Sequence, residues 1–478
     1  MNKEKIMKRT KERLIWAGVT SSLAVLLTFL IINMSAPSVS AQSNNSYNRE
    51  VEKYMGLLKN AYYYVLNNYV EEIPPEELFK GAMDGLFESL DDPYSVYLDE
   101  LAVQNLTDTT QGKFGGVGLY ISKTSLYDED NPYGRKPYVE VVSPIEDTPA
   151  YKAGIHSGDY IFKINGVSAK DLSTNEVSDL LRGTPGTPVV VTLLRGESIT
   201  FDVTLNRANI EIPTVKEDII NNDIAYMRII QFTPYTAPRI EEAIKIFKRN
   251  HYKALIIDLR GNPGGLLSSV VEIGDYFFDD GIIVSTKSRI ENENEIYTAR
   301  RGTLVDSDIP IAVLIDNGSA SASEILTGAL KDRERAMIIG QTSYGKGSVQ
   351  TMVGLGESAI KLTMARYYTP SGISIDKTGI EPDVKIELPE YTDEELESYT
   401  QLIEKNTISE FVTANDVNSR TIESFIRGLR EENNVLTDNT IKRLIRSEVN
   451  RRSDNPPVFD IEYDETLIKA VELIEKKL

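Results

Sequence analysis

Three serines alternate in Gly318-Ser319-Ala320-Ser321-Ala322-Ser323-Glu324, between the apolar run IAVLID and the amphipathic run EILTGALK. A serine at a strand-to-helix turn sits among free backbone N–H groups and the positive end of a helix dipole. Both suit a nucleophile whose attack creates an oxyanion. Ser321-x-x-Glu324 also spells a capping box, which marks the start of many ordinary helices. A serine nucleophile needs a base, and the chain has no cysteine and only two histidines, His156 in AGIHSGD and His251 in KRNHYK. Neither lies in a Gly-rich loop after an apolar strand. Lys346 does, in Tyr344-Gly345-Lys346-Gly347-Ser348. A lysine acts as base only when neutral, so burial must lower its pKa; its ordinary alternative is a solvated loop lysine. Gln350 follows four residues on. Four extended residues span roughly 13 Å, so a Lys346–Gln350 contact requires a turn at the glycines.

Two further segments carry backbone chemistry. In Asp258-Leu259-Arg260-Gly261-Asn262-Pro263-Gly264-Gly265 the amides of Gly264 and Gly265 supply half of a candidate oxyanion hole, with the Ala322 amide as the other half. The same string also serves as a plain helix-entry turn. In Gly115-Gly116-Val117-Gly118-Leu119 successive amides suit a carboxylate, and the adjoining strand edge suits an extended peptide. A third segment is a decoy. Gly340-QTSY-Gly345-Lys346-Gly347 nearly matches a phosphate-binding loop, but position 347 lacks the hydroxyl, and the β-branched SVQTMV follows where a helix is required. Nucleotide binding is rejected on that ground.

These residues need a scaffold, and the composition describes one. Of 478 residues, 52 are Lys or Arg and 72 are Asp or Glu, a net charge of −20 that argues against bulk nucleic-acid binding. The absence of cysteine excludes disulfides, thiolate metal sites and a Cys nucleophile, and two histidines nearly exclude a His-rich metal site. A hydrophobic share of 41 % with 26 % charged residues is that of a folded chain.

Residues 1–13 form a basic tail expected in the cytoplasm. Residues 14–33 form an uncharged apolar segment, favoured as a transmembrane anchor, with a signal peptide cleaved near Val39-Ser40-Ala41 as the alternative. Either reading exports the rest of the chain. A small polar linker covers 34–46, and 47–107 reads helical. Residues 108–206 alternate short apolar runs with Gly/Pro/Asn turns, as a β-rich domain does. From 207 to 388 strands and helices alternate, as in an α/β core with mostly parallel strands. Residues 389–478 read helical, broken at Asn455-Pro456-Pro457.

Together the motifs resemble the carboxyl-terminal processing, or tail-specific, proteases. GGVGL with SPIEDTPAYKAGIHSGDYIFKING and LLRGTPGTPVVVTLLR is similar to that family's PDZ domain; His156 stands where that turn more often reads Lys-Pro-Gly-Asp. DLRGNPGG, GSASASEILTGAL and YGKGSVQ match the protease core in order and spacing, and YVEEIPPEELFKGAMDGLFESLDDPYSVYLD resembles the N-terminal helical segment. The resemblance covers roughly 47–388. It implies a multidomain α/β protein: helical N-terminal segment, PDZ domain, α/β protease core of the crotonase-like type, and helical C-terminal segment. It places the family's nucleophile on Ser321, its lysine base on Lys346 and its orienting glutamine on Gln350. It implies an extracytoplasmic serine endopeptidase without cofactor or metal, acting on proteins whose apolar C-terminal tails dock at Gly115–Leu119. Arg182 is then a candidate for a contact that aligns the active state, and the terminal helices offer a homodimer face. The alternative from another class is a PDZ-type binding protein with an idle protease-like core, which the intact Ser321, Lys346 and Gln350 disfavour.

Overall fold

The structure, a computed structural model, describes residues 45–478 apart from 123–136, 146–147, 157, 196–198, 212, 301, 388–391, 406 and 454–455. The expected cytoplasmic tail, the apolar segment at 14–33 and all of the linker but residues 45 and 46 lie outside the described residues. Among the described residues no helix is long and apolar enough to cross a membrane. The chain divides into two compact units. One runs to Val103 and includes Gln350–Thr363; the other comprises Gln104–Val349 and Met364–Leu478.

The first unit opens with helix α1 (Asn45–Asn68) and helix α2 (Pro75–Glu88). Pro75 occupies the first turn of α2, where its missing N–H costs nothing, and Glu76 and Glu77 face the positive end of the dipole. The second helix stops before Asp92-Pro93, as expected, and a short strand then interrupts the 47–107 region. Strand β1 (Val96–Leu98) pairs antiparallel with residues 359–361. Asp92 forces the preceding turn by accepting the Tyr94 N–H and the Ser95 hydroxyl, and a three-residue strand is too short to show a period of its own. Helix α3 (Glu100–Gln111) follows.

The second unit begins with strand β2 (Lys113–Gly116), then β3 (Leu119–Ser122) and β4 (Val139–Pro144). Helix α4 (Pro149–Lys152), β5 (Tyr160–Ile164), β6 (Val167–Ser168), helix α5 (Thr174–Leu181), β7 (Pro188–Arg195) and β8 (Ile199–Asn206) complete a PDZ-like domain. Its sheet runs β3-β4-β5-β7-β8, with β6 beside β5. Alternate residues of its strands close a core that includes Val139, Val141, Ile161, Val189 and Val191. Strand β9 (Ala208–Glu211) returns to pair with β2.

The α/β core follows. Strands β10 (Val215–Ile220) and β11 (Ile224–Ile229) form a hairpin, and helix α6 (Thr236–Arg249) leads to β12 (Ala254–Asp258) and helix α7 (Leu267–Gly274). Strands β13 (Ile282–Ser288) and β14 (Glu295–Thr298) form a second hairpin. Then come β15 (Ile311–Ile315), helix α8 (Ala322–Asp332), β16 (Met337–Gly340), β17 (Ser348–Leu355), β18 (Ser358–Tyr368) and β19 (Val384–Lys385). The main sheet runs β10-β11-β12-β15-β16-β19, parallel from β11 onward. Every residue of β12 and β15 is buried, which explains their unbroken apolar runs: both faces of the sheet are covered.

Helices α6, α7 and α8 cover one face. The other face is covered from the far end of the chain. Helices α9 (Asp393–Glu404), α10 (Thr407–Ala414), α11 (Ser419–Glu431) and α12 (Asp438–Arg452) share a core of their own around Leu402, Phe411, Ile426 and Ile441. Helix α13 (Glu465–Glu475) instead lays Leu467, Ala470 and Ile474 onto Tyr226, Ile256, Leu314 and Ile339 of the sheet.

Candidate active site

Strands β12, β15 and β16 are parallel neighbours, so the loops that leave them emerge at one edge of the sheet. Those loops are DLRGNPGG, DNGSASAS and QTSYGKGS. In open α/β sheets this carboxyl edge is where ligands bind.

Hydrogen bonds knit the first two loops together. The Ser319 hydroxyl donates to the Leu259 carbonyl at 2.8 Å, and the Ser323 hydroxyl to the Asn262 carbonyl at 2.9 Å. The Ala320 N–H reaches the same Asn262 carbonyl at 3.0 Å. Ser319 and Ser323 are fully buried and hold the neighbouring loop; Ser321, 8 % exposed, stands at the N-cap of α8. Its backbone sets it apart as well. Ser321 lies at φ 54°, ψ −113°, whereas the helix caps Thr148, Ser173, Asn418 and Thr437 all take ordinary extended angles. A simple cap needs no positive φ. A non-glycine residue held there stores about 1–3 kcal/mol, and a sharp strand-to-helix elbow is how hydrolases expose a nucleophile.

Glu324 ties in the third loop. It is completely buried in the first turn of α8. Its Oε2 accepts the Ser321 N–H at 2.8 Å and the Lys346 N–H at 2.9 Å. Its Oε1 accepts the Ser343 hydroxyl at 2.6 Å and the Gly345 N–H at 2.7 Å. Sequence reasoning saw this residue only as the far half of a capping box. The overlooked signal was a carboxylate inside a helix whose other first-turn neighbours are small or apolar: such a charge needs donors from elsewhere.

The glycines of DLRGNPGG divide into two roles. Gly264 lies at φ 102°, and a Cβ there would stand 2.7 Å from Ser321 Cβ and 2.9 Å from the Ala322 nitrogen. Its own N–H donates to Asn262 Oδ1 at 2.9 Å. Of the expected oxyanion donors, Gly264 is therefore already engaged. Among the described residues no protein acceptor takes the amides of Gly265 and Ala322.

Lys346 is half-buried and Ser348–Leu355 is a strand, so no helix N-terminus follows Lys346 to cradle a phosphate. Gln350 is the third residue of β17, half-buried, in the part of that strand that belongs to the first unit. His251 sits exposed at the end of α6, before β12 begins. That is the opposite edge of the sheet from the serine loop, about 16 Å away along a five-residue strand. His156 lies exposed in the PDZ-like domain, its N–H on Asp159.

In that domain Gly116, Val117, Gly118 and Leu119 border a cavity of about 190 Å³ whose far wall is Ser178, Leu181 and Arg182 of α5 and its end. Gly115 precedes it in β2. A Cβ at Gly118, φ 83°, would strike Thr148 at 2.3 Å, so the loop turns there only as glycine. The Arg182 guanidinium lies 5.0 Å from the centre of the Phe114 ring.

Family models agree with this layout. One described as peptidase family S41 matches residues 223–386, one described as PDZ domain matches 140–195, and one described as activating protease CtpB N-terminal domain matches 23–102. The carboxy-terminal-processing protease of Bartonella bacilliformis is 41 % identical over 367 residues, covering 76 % of this chain and 81 % of the relative. The chain belongs to the carboxy-terminal processing protease family. Two Bacillus subtilis members are also similar. Carboxy-terminal processing protease CtpA is 33 % identical over 386 residues, covering 80 % of this chain and 79 % of the relative. CtpB is 34 % identical over 369 residues, covering 76 % and 74 %. As a member, the protein is a serine-type peptidase with a PDZ domain before an α/β core.

Proposed function

We propose that this protease cleaves exported proteins after capturing their C-terminal tails, by acyl transfer through Ser321 with Lys346 as base. The observation that carries the reading is the shared Glu324 oxygen, which fixes the backbone of a strained serine and that of a glycine-flanked lysine to one point.

Neutral Lys346 takes the Ser321 proton as Oγ attacks the scissile carbonyl. The oxyanion accepts from the Gly265 and Ala322 amides. The lysine ammonium then protonates the leaving amine, and a water, deprotonated by the same lysine, releases the acyl group as a carboxylic acid. Gln350 orients the lysine, and the reaction needs no cofactor or metal. The Gly115–Leu119 segment receives the tail's carboxylate on its amides, the neighbouring cavity takes an apolar last side chain, and Arg182 relays occupancy.

The uncharged segment at 14–33, behind a basic N-terminus, supports an exported enzyme held at the membrane or released after signal cleavage. The exposed Tyr54, Leu57, Leu58 and Tyr64 of α1 support a homodimer through that helix. The test is cleavage of an unfolded protein with an apolar C-terminus. The wild-type chain should cut it, and Ser321→Ala or Lys346→Ala should not. Full activity in both variants would sink the mechanism, and tail binding without cleavage by the wild type would favour a binding module.

A further inference from the structure

Asp464 is the N-cap of α13 and accepts the Leu467 N–H at 3.0 Å. The same carboxylate takes both terminal nitrogens of Arg260, Nη1 on Oδ1 at 2.8 Å and Nη2 on Oδ2 at 2.6 Å. On its other side Arg260 meets Asp258, Nε on Oδ1 at 3.0 Å and Nη2 on Oδ2 at 2.6 Å. The Tyr226 hydroxyl completes that carboxylate at 2.7 Å. One guanidinium is thus gripped in two forks, the geometry in which arginine–carboxylate pairs are strongest and most directional.

The two forks have different origins. Asp258 is the last residue of β12 and shares the strand that launches the loop. Asp464 lies 204 residues after Arg260 in the chain. Between them, Arg260 sits at the start of the loop whose next members are Asn262, Gly264 and Gly265. Asn262 holds Ala320 and Ser323 through its carbonyl and Gly264 through its side chain, and Gly264 abuts Ser321 with no room for a methyl group. A shift of Arg260 therefore propagates to the wall of the nucleophile within a few bonds.

We propose that Asp464 is a positioning residue for peptide cleavage: from the start of α13 it fixes Arg260, and through Arg260 the 259–265 loop that faces Ser321. The inference rests on Ser321 as the nucleophile. It gives the last helix a part in turnover beyond covering the sheet.

The test uses the full chain and a fluorogenic peptide with an apolar, free C-terminus. Asp464→Asn keeps the helix cap and the volume but removes the charge and one acceptor of the fork. Its kcat should fall about tenfold or more, a change of about 1.4 kcal/mol per decade, with KM within about twofold. Asp464→Glu, which keeps the charge on a longer arm, should lie between wild type and Asp464→Asn. Leu467→Ala weakens α13 packing without touching the fork, and should lower the melting temperature while keeping kcat wherever it is folded. Wild-type kcat in Asp464→Asn overturns the inference, as does an equal kcat loss in Leu467→Ala at matched folded fraction. If Asp464→Asn does not fold, Asp464→Glu decides: lowered kcat at unchanged KM supports the inference, and unchanged kcat overturns it. Turnover surviving in Ser321→Ala removes the nucleophile reading and this inference with it. An inactive Ser321→Ala beside a fully active Asp464→Asn removes this inference alone.

Discussion

The backbone amides of Ser321 and Lys346 end on the same oxygen atom, Oε2 of Glu324, at 2.8 and 2.9 Å. They cannot stand farther apart than those two bonds allow. In a serine–histidine triad a third side chain orients the imidazole. Here the registration is done one level down, through main chain and a buried carboxylate.

Glu324→Gln should therefore impair turnover more than stability. A glutamine offers one carbonyl oxygen where four donors converge, and turns an NH₂ toward the others. The expected result is a kcat at least about tenfold lower with a smaller change in KM. Glu324→Ala should also lower stability, by about 1–3 kcal/mol for each donor that finds no water. Turnover assays beside thermal melts separate the two effects, and wild-type kcat in Glu324→Gln would show that the registration is irrelevant.

The three serines make a sharper set. Ser321→Ala should abolish cleavage and leave the melting temperature nearly unchanged, because alanine keeps the Cβ that makes the positive φ costly. Ser319→Ala and Ser323→Ala should retain cleavage but lose stability, about 1 kcal/mol for each buried hydroxyl bond removed. The pattern is read by measuring both quantities on all three. An inactive Ser319→Ala or Ser323→Ala beside an active Ser321→Ala would transfer the nucleophile.

With Lys346 as base the rate should rise with pH. The protonated ammonium cannot accept the serine proton, so kcat/KM climbs as the pH passes the lysine pKa in the free enzyme. A flat profile from about pH 5 to pH 9 counts against lysine, since a base must change state somewhere in its working range. Lys346→Arg, which stays charged throughout, should be inactive at every pH.

Asp258 should contribute to the acid limb of stability. Burial alone would lift its carboxyl pKa, but the Arg260 guanidinium and the Tyr226 hydroxyl outweigh burial and hold it below the ordinary carboxyl value. A carboxyl depressed in the folded state adds stability above its unfolded pKa of about 3.9, and that stability is lost as pH falls through the lower folded value. Melting temperature should drop steeply below about pH 4. Asp258→Asn should start lower and show a shallower drop, and parallel curves for the two proteins would assign the acid limb elsewhere.

The legible parts of this protein were those governed by local physics. ALIID and IAVLI read as buried strands because both sheet faces are covered, and the three motif loops could be set at one edge because consecutive parallel strands share a direction. Less legible were features that depend on distant partners. β1 is a strand because residues 359–361 lie beside it. Glu324 looked like a cap because its donors come from another loop. Helix α13 looked like one more charged C-terminal helix, and only the contact of Leu467, Ala470 and Ile474 with the sheet separates it from α9–α12. The serine itself was read from motif order, and its strained backbone has no signature in residue type.

The covering of the sheet by α13 also imposes a schedule. The apolar surface formed by Ile224, Tyr226, Ile256 and Leu314 stays bare until residues 465–475 have been made and delivered. A chain that emerges N-terminus first thus carries its peptidase core unfinished until that helix has been made. Peptidase activity should therefore appear only after that last layer has docked.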